Sequence, residues 1–205
     1  MSEKKQFIVG KKVGMTQHMS DDGVVVAITI VKILENQIVR VKTLETDGYN
    51  AICLGYGKVD SKKINKPNNG QFKGDDKFES IKEFRVSSVD GYELNSEINL
   101  DSFEVGKSYD AQSKTIGRGY SGTVKAWGFR IGPKAHGSKS HRIPGSIGQA
   151  TYPGEVNKGK KMYRRYGNQN VTIQNLELVS IEGDMLYFKG AIPGKKNVVY
   201  ITGDN

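Results

Sequence analysis

Apolar positions along the chain fall into short runs with a period near two. Gly23 opens the first, Val24–Leu34, which reads VVVAITIVKIL and holds neither Pro nor Gly. Its β-branched residues predict a strand, and apolar side chains in both phases predict burial on both faces. Glu35-Asn36 turns the chain. Gln37–Leu44 returns with Val39 and Val41 in one phase and Arg40 and Lys42 in the other, the alternation of a half-exposed strand. After the turn signal Asp47-Gly48, Tyr49–Tyr56 predicts a third strand. From Gly57 to Asp101 the chain is polar and turn-rich, with a loop at Pro67-Asn68-Asn69-Gly70. This predicts a small α/β insertion beside the main sheet. Within it, KFESIKEFRV fits a short helix running into a strand, and pattern alone does not decide it. Phe103–Tyr109 predicts another strand. Beyond Gly167, Val171 and Ile173 share one phase and Leu176 and Leu178 the other, which predicts a bulge at Gln174-Asn175. MLYFKGA and NVVYIT complete the pattern, separated by Pro193-Gly194. The reading is mainly β: a closed or nearly closed antiparallel barrel.

Charge changes this picture in one place. The chain of 205 residues carries a net charge of +9. The stretch Lys114–Gly167 holds twelve Lys or Arg against Glu155 alone, a local +11, which leaves −2 for everything else. Eleven of the 25 glycines also lie there. Such a stretch has too few apolar residues in phase to build a core, and is expected to be poorly ordered when free. It suits a polyanion, with glycines allowing close backbone approach and cations meeting phosphates. No apolar run approaches the ~18 residues of a membrane helix. The N-terminal MSEKKQFIVGKK has no apolar core of a secretory signal. The lone Cys53 excludes an internal disulfide or multi-cysteine metal site and reads as a buried, inert thiol in a cytoplasmic protein.

Several motifs within the basic stretch invite other chemistry. Gly117–Val124 reads GRGYSGTV and satisfies G-x-G-x-x-G, which could make an enzyme of Gly117, Gly119 and Gly122. A dinucleotide site needs a strand before, a helix after and an acid about twenty residues on. The following TVKAWGF looks β-like, and the region twenty residues on is SHRIPG. His136 and His141 have no third ligand nearby, which argues against a metal. Ser138, Ser140 and Ser146 have no orienting acid, which argues against a hydrolase. Trp127 and Phe129 read as a small packed cluster at the root of the excursion, ahead of base stacking. Lys158, Lys160, Lys161, Arg164 and Arg165 alternate with Tyr163 and Tyr166, a pattern that nucleic acid explains better than a solvated face.

The same residues resemble a known family. VGKKVGMTQ (Val9–Gln17), the Asp110–Gly122 stretch D-x-x-S-K-T-I-G-R-G-x-x-G, HGSKSHRIPGSIGQ, KGKKM, GNQNVTIQNLELV and FKGAIPG together resemble the universal large-subunit ribosomal protein L three, of bacterial or organellar type. The resemblance spans nearly the whole chain. It departs at Ala126, where the family signature usually ends in Arg. It departs again at GQATYPG, where Thr151 replaces a glutamine that is methylated in some bacteria. The resemblance implies a six-stranded antiparallel translation-factor-type barrel (residues 1–113 and 168–205, with the insertion at about 57–101). A long basic finger, 114–167, would extend from it. It implies a structural role without enzymatic activity or cofactor. The partners would be 23S-type rRNA near its 3′ end and the ribosomal proteins L fourteen and L nineteen. Expected rRNA contacts are Lys11, Lys12, Lys114, Arg118, Lys125, Arg130, Lys134, His136, Lys139, His141, Arg142, Lys158, Lys160, Lys161, Arg164 and Arg165. The neutral tip Gly148, Gln149, Ala150, Thr151 and Tyr152 would approach the peptidyl transferase centre.

Overall fold

The computed structural model describes residues 6–20, 23–72 and 76–203. In chain order they form β1 (Gln6–Met19), β2 (Val25–Ile33), β3 (Asn36–Lys42), α1 (Leu44–Asp47), β4 (Ala51–Lys58), α2 (Lys66–Asn69), β5 (Phe78–Arg85), β6 (Ser108–Lys114), β7 (Tyr120–Ser121), α3 (Thr123–Trp127), β8 (Arg164–Arg165), β9 (Asn170–Glu182), β10 (Met185–Lys189) and β11 (Val198–Gly203). Six strands pair antiparallel in the order β1-β11-β6-β9-β10-β2, and β2 returns to β1, so the sheet closes as a barrel. Closure leaves these strands no free edge. The chain divides into two compact units, Met1–Lys114 with Asn170–Asn205, and Thr115–Gln169.

The barrel interior is apolar. Ile8, Val31, Tyr109, Ala111, Leu178, Leu186, Phe188, Val199 and Ile201 point into it, and Phe103 packs on them. The alternate residues of β1 and β11 face outward, yet Phe7 and Val9 are buried as well. They pack against Ile38, Ile52, Leu54, Tyr56 and Phe84 of a second sheet, β3-β4-β5. β1 therefore buries both faces over Phe7–Val9. β4 does the same, with Ile52 and Leu54 toward the barrel and Gly55 under Val39 and Phe78 on the far side. A Cβ on Gly55 would come within 2.5 Å of the Phe78 ring, so only glycine fits.

Several expectations change. β1, the longest strand, went unread because VGKKVGMTQ shows no clean alternation; a bulge between Lys12 and Gly14 shifts its phase midway. β2 was expected to be buried on both faces, but its first three residues are largely exposed. Val39 and Val41 were expected on one face. A bulge between Ile38 and Arg40 sends them to opposite faces, Val39 toward Phe72 and Phe78, Val41 toward the barrel. β3 pairs with β4 and β4 with β5 rather than with barrel strands, so the inserted sheet begins at Asn36 and not near Gly57. The ambiguous KFESIKEFRV is β5, and the insertion's helices are single turns. Phe103–Lys107 precedes the strand rather than forming it. The bulge expected at Gln174-Asn175 is present: Tyr109 pairs with Leu176 and Ala111 with Ile173, and Asn175 adopts φ 56°. Cys53 is buried, and burial pushes its thiol pKa up.

Asn36 joins the two sheets. Buried at 4% exposure, it accepts from the Val9 N–H at 3.1 Å and donates to the Val9 and Leu34 carbonyls at 3.0 and 2.6 Å. Both backbone groups of Val9 thereby find a partner where β1 turns its outer face to the second sheet. Asn36→Ala orphans the Val9 N–H, while the Val9 carbonyl keeps the Leu34 N–H at 3.2 Å, and should cost about 1–3 kcal/mol where water cannot reach that N–H. Urea denaturation measures it; a midpoint within error of the parent would show that water replaces the amide.

Candidate nucleic-acid interface

The unit Thr115–Gln169 is built on very little buried surface. Its only buried side chains are Ser121, Thr123 and Ala126, and none of its residues joins the three apolar clusters. Order comes instead from backbone pairing at its base. Thr115 N–H donates to Gln169 at 2.9 Å, Arg118 to Tyr166 at 2.8 Å, and Tyr166 to Gly119 at 2.9 Å. β7 and β8 then pair Tyr120 with Arg165 and Ser121 with Arg164. Gly167 sits at φ 76°, and a Cβ there would lie 2.1 Å from the Ile116 carbonyl oxygen, so the two chains approach this closely only with glycine.

TVKAWGF, expected to be β-like, folds as α3. Its single turn closes with Ala126 N–H on the Gly122 carbonyl and ends on Gly128 in the left-handed conformation. The turn aims Trp127 at β8. The indole N–H donates to the Met162 carbonyl at 2.7 Å, and the Arg164 guanidinium lies 4.0 Å from the ring centroid. Lys161 also lies over this ring at 5.6 Å, and Arg118 and Arg164 flank Tyr166 at 5.4 and 5.7 Å. Trp127 is thus packed, as expected, but against cations and backbone rather than in an apolar cluster. This stack was not legible in the sequence beyond the spacing of aromatics among cations. Stacking holds Arg164 half-buried, and its Nε is buried without an acceptor.

The cations other than Arg164 stand at the surface. Arg118, Lys125, Arg130, Lys134, Lys139, Arg142, Lys158, Lys160, Lys161 and Arg165 are exposed, as are His136 and His141. Among the described residues, no cation of this unit pairs with a carboxylate. The other unit behaves differently: there Arg40 meets Asp47 at 2.7 Å, Lys42 meets Glu83 at 2.6 Å, and Lys58, Lys107 and Lys189 each have an acid partner. Gly132 N–H donates to the His141 carbonyl, closing a loop that carries Lys134, His136 and Lys139. A Cβ on Gly132 would lie 2.0 Å from the Ser140 carbonyl oxygen. Gly148–Tyr152 is exposed throughout, Tyr152 to 88%.

The other candidates separate. Lys11 and Lys114 are exposed on barrel strands, but Lys12 is buried and donates from Nζ to the Ile192 carbonyl; burial lowers its pKa. Lys12 is therefore placed as an internal tether and not on the surface expected for it. Among the described residues, no three His, Cys, Asp or Glu are grouped to hold a metal. The glycine motif has β7 inside it and a one-turn helix after it, unlike the strand–loop–helix of a dinucleotide site.

Known proteins resemble this chain over nearly its whole length. A family model described as ribosomal protein L3 matches residues 90–184. The large ribosomal subunit protein uL3 of Alkaliphilus metalliredigens is 42% identical over 198 residues, covering 95% of this chain and 94% of that one. The proteins of the same name from Fervidobacterium nodosum and Geobacter sulfurreducens are 46% and 42% identical, with at least 96% of each chain covered.

Trp127 is the one tryptophan of the chain, so its fluorescence reports on this stack alone. Arg164→Ala removes a cation–π contact worth about 0.5–2 kcal/mol. Trp127 emission should shift to the red and acrylamide quenching should increase, with the urea midpoint of the barrel unchanged. Unaltered quenching would mean that the hydrogen bond to Met162 holds the indole without Arg164.

Proposed function

This chain belongs to the ribosomal protein L3 family, and from that premise we propose that it is a structural constituent of the large ribosomal subunit in the cytoplasm, bound to 23S-type rRNA near its 3′ end. The observation that carries the reading is the set of exposed, unpaired cations in Thr115–Gln169, on a backbone almost without a core. Free cations crowded together repel one another, and a polyanion relieves that repulsion while its own counterions are released. Phosphate contacts of this kind position RNA rather than read its sequence. His136, His141 and the exposed Tyr120 and Tyr163 add donors and flat rings for unpaired bases.

In this reading the barrel is of the translation-factor type, and the basic unit is a finger that holds RNA helices together early in subunit assembly. Its neutral tip, Gly148, Gln149, Ala150, Thr151 and Tyr152, reaches toward the peptidyl transferase centre. Cations flank that tip on both sides, Lys139 and Arg142 before it, Lys158 to Arg165 after it. The arms would hold RNA while an uncharged loop enters a crowded space. The ribosomal proteins L fourteen and L nineteen would be its protein neighbours. Thr151 at the tip removes the glutamine that some relatives of this family methylate.

Two outcomes test the proposal. Replacing Lys158, Lys160, Lys161, Arg164 and Arg165 with Gln should weaken binding to large-subunit rRNA and flatten its salt dependence, by ~0.9 in log–log slope per lost duplex phosphate contact. An unchanged slope would remove these residues from the interface. Shortening Ser146–Tyr152 to a Gly-Ser turn should leave affinity within a few-fold but slow peptide-bond formation in assembled ribosomes. A normal rate with unchanged sensitivity to inhibitors of that centre would reduce the tip to a surface turn.

A further inference from the structure

The unit that contains the barrel carries unpaired lysines of its own. Lys11 on β1 and Lys32 on β2 are directly opposite in the ladder. Directly opposed residues in an antiparallel pair point to the same face, on strands about 4.8 Å apart, and like charges there are destabilising. Both lysines are exposed, and neither meets an acid among the described residues. Asp184, next to Met185, which pairs with Lys32, forms no ion pair with it. The same row continues across the barrel. Lys11 pairs with Val198, and Ser113 with Val199, so the next rung sets Lys114 beside Val198. Ser113 turns inward, buried, and Lys114 turns outward.

The loop before β11 adds Lys195 and Lys196, both exposed. That loop is held from three sides. Thr29 Oγ1 donates to the Gly190 carbonyl at 2.6 Å, Lys12 Nζ to the Ile192 carbonyl at 2.5 Å, and Asn197 Nδ2 to the Lys114 carbonyl at 2.7 Å. Gly194 sits at φ 90° against the Lys114 carbonyl, where a Cβ would lie 2.7 Å away. A loop fixed this firmly presents its lysines at little further entropic cost on binding.

The geometry points to a second phosphate-binding surface, formed on the barrel by Lys11, Lys32, Lys114, Lys195 and Lys196, that takes the backbone of an RNA duplex. An anion bridging Lys11 and Lys32 removes the repulsion that the bare ladder carries. The inference rests on the rRNA reading above and deepens it. Lys32, Lys195 and Lys196 are its new members.

The test uses the full chain with deproteinised large-subunit rRNA, titrated over a range of salt. Lys32→Gln, Lys195→Gln and Lys196→Gln together should lower the log–log slope by about 2–3. Hydroxyl-radical protections lost in this variant should differ from those lost in the Lys158–Arg165 variant. A control with Lys62, Lys63 and Lys66, exposed on the second sheet's connection, all changed to Gln should keep the parent slope. Equal loss in the control means that net charge alone matters and overturns the proposal. An unchanged slope in the Lys32 variant, with loss in the Lys158–Arg165 variant, overturns the barrel surface and leaves the rRNA reading standing; no loss in either removes both. Lys32→Glu separates binding from folding. It gains an ion pair with Lys11, so the urea midpoint at low salt should hold or rise while rRNA affinity falls, and retained affinity overturns the proposal.

Discussion

Mutual repulsion among uncompensated cations is the constraint around which this chain is arranged. Twelve Lys and Arg with one acid cannot condense into a globule by themselves, because close approach raises their energy and no apolar core offsets it. Their order depends on what surrounds them in the chain. β6 and β9 are paired up to Lys114 and Asn170, so the segment between them leaves and returns at one rung of a closed sheet. Backbone bonds from Thr115 to Gln169 and from Arg118 to Tyr166 carry the pairing onward. The barrel's apolar cluster draws on none of the segment's residues, and among the described residues the acids that form ion pairs do so with cations of their own unit.

The second sheet solves a different problem. A small barrel buries one face of each strand and exposes the other, yet Phe7, Val9 and Tyr200 are large and apolar on the outside. β3-β4-β5 covers them, with Phe84 stacked 5.0 Å from Phe7 and the Tyr56 and Tyr200 hydroxyls 3.1 Å apart. Asn36 then closes the seam by bonding the backbone of Val9 itself. The polar atoms buried by this layering are the ones that find partners, which is the condition for packing a sheet over a sheet.

Much of this was legible in the residues, and the failures have physical causes. Strand identity followed the apolar pattern where it was clean, as in β10 and β11, whereas β6 begins five residues after the expected start at Phe103. The bulge in β9 was legible because a phase slip moves Leu176 and Leu178 off the phase of Val171 and Ile173. The same device hid β1 and misled the reading of β3, since a bulge in a short run looks like the absence of a pattern. Which strands pair is not written in any one of them; β3 and β4 look like barrel strands until β5 is found to match them. The basic segment was legible from composition because charge needs no partner to be counted. The Arg164–Trp127 stack was not, because it depends on a one-turn helix that β-branched Thr123 and Val124 argue against.

Lys11 and Lys12 show where composition stops and geometry decides. They are adjacent and chemically identical, and a motif or a charge count treats them alike. A strand sends successive side chains to opposite faces. Lys11 therefore stands in the outer row opposite Lys32, while Lys12 enters the barrel end and gives its ammonium to the Ile192 carbonyl. Burial penalises that charge and lowers its pKa, so Lys12 is held where an apolar residue would cost less in desolvation. What it holds is the loop that displays Lys195 and Lys196. One lysine of the pair meets the outside directly, and the other fixes in place two lysines that do.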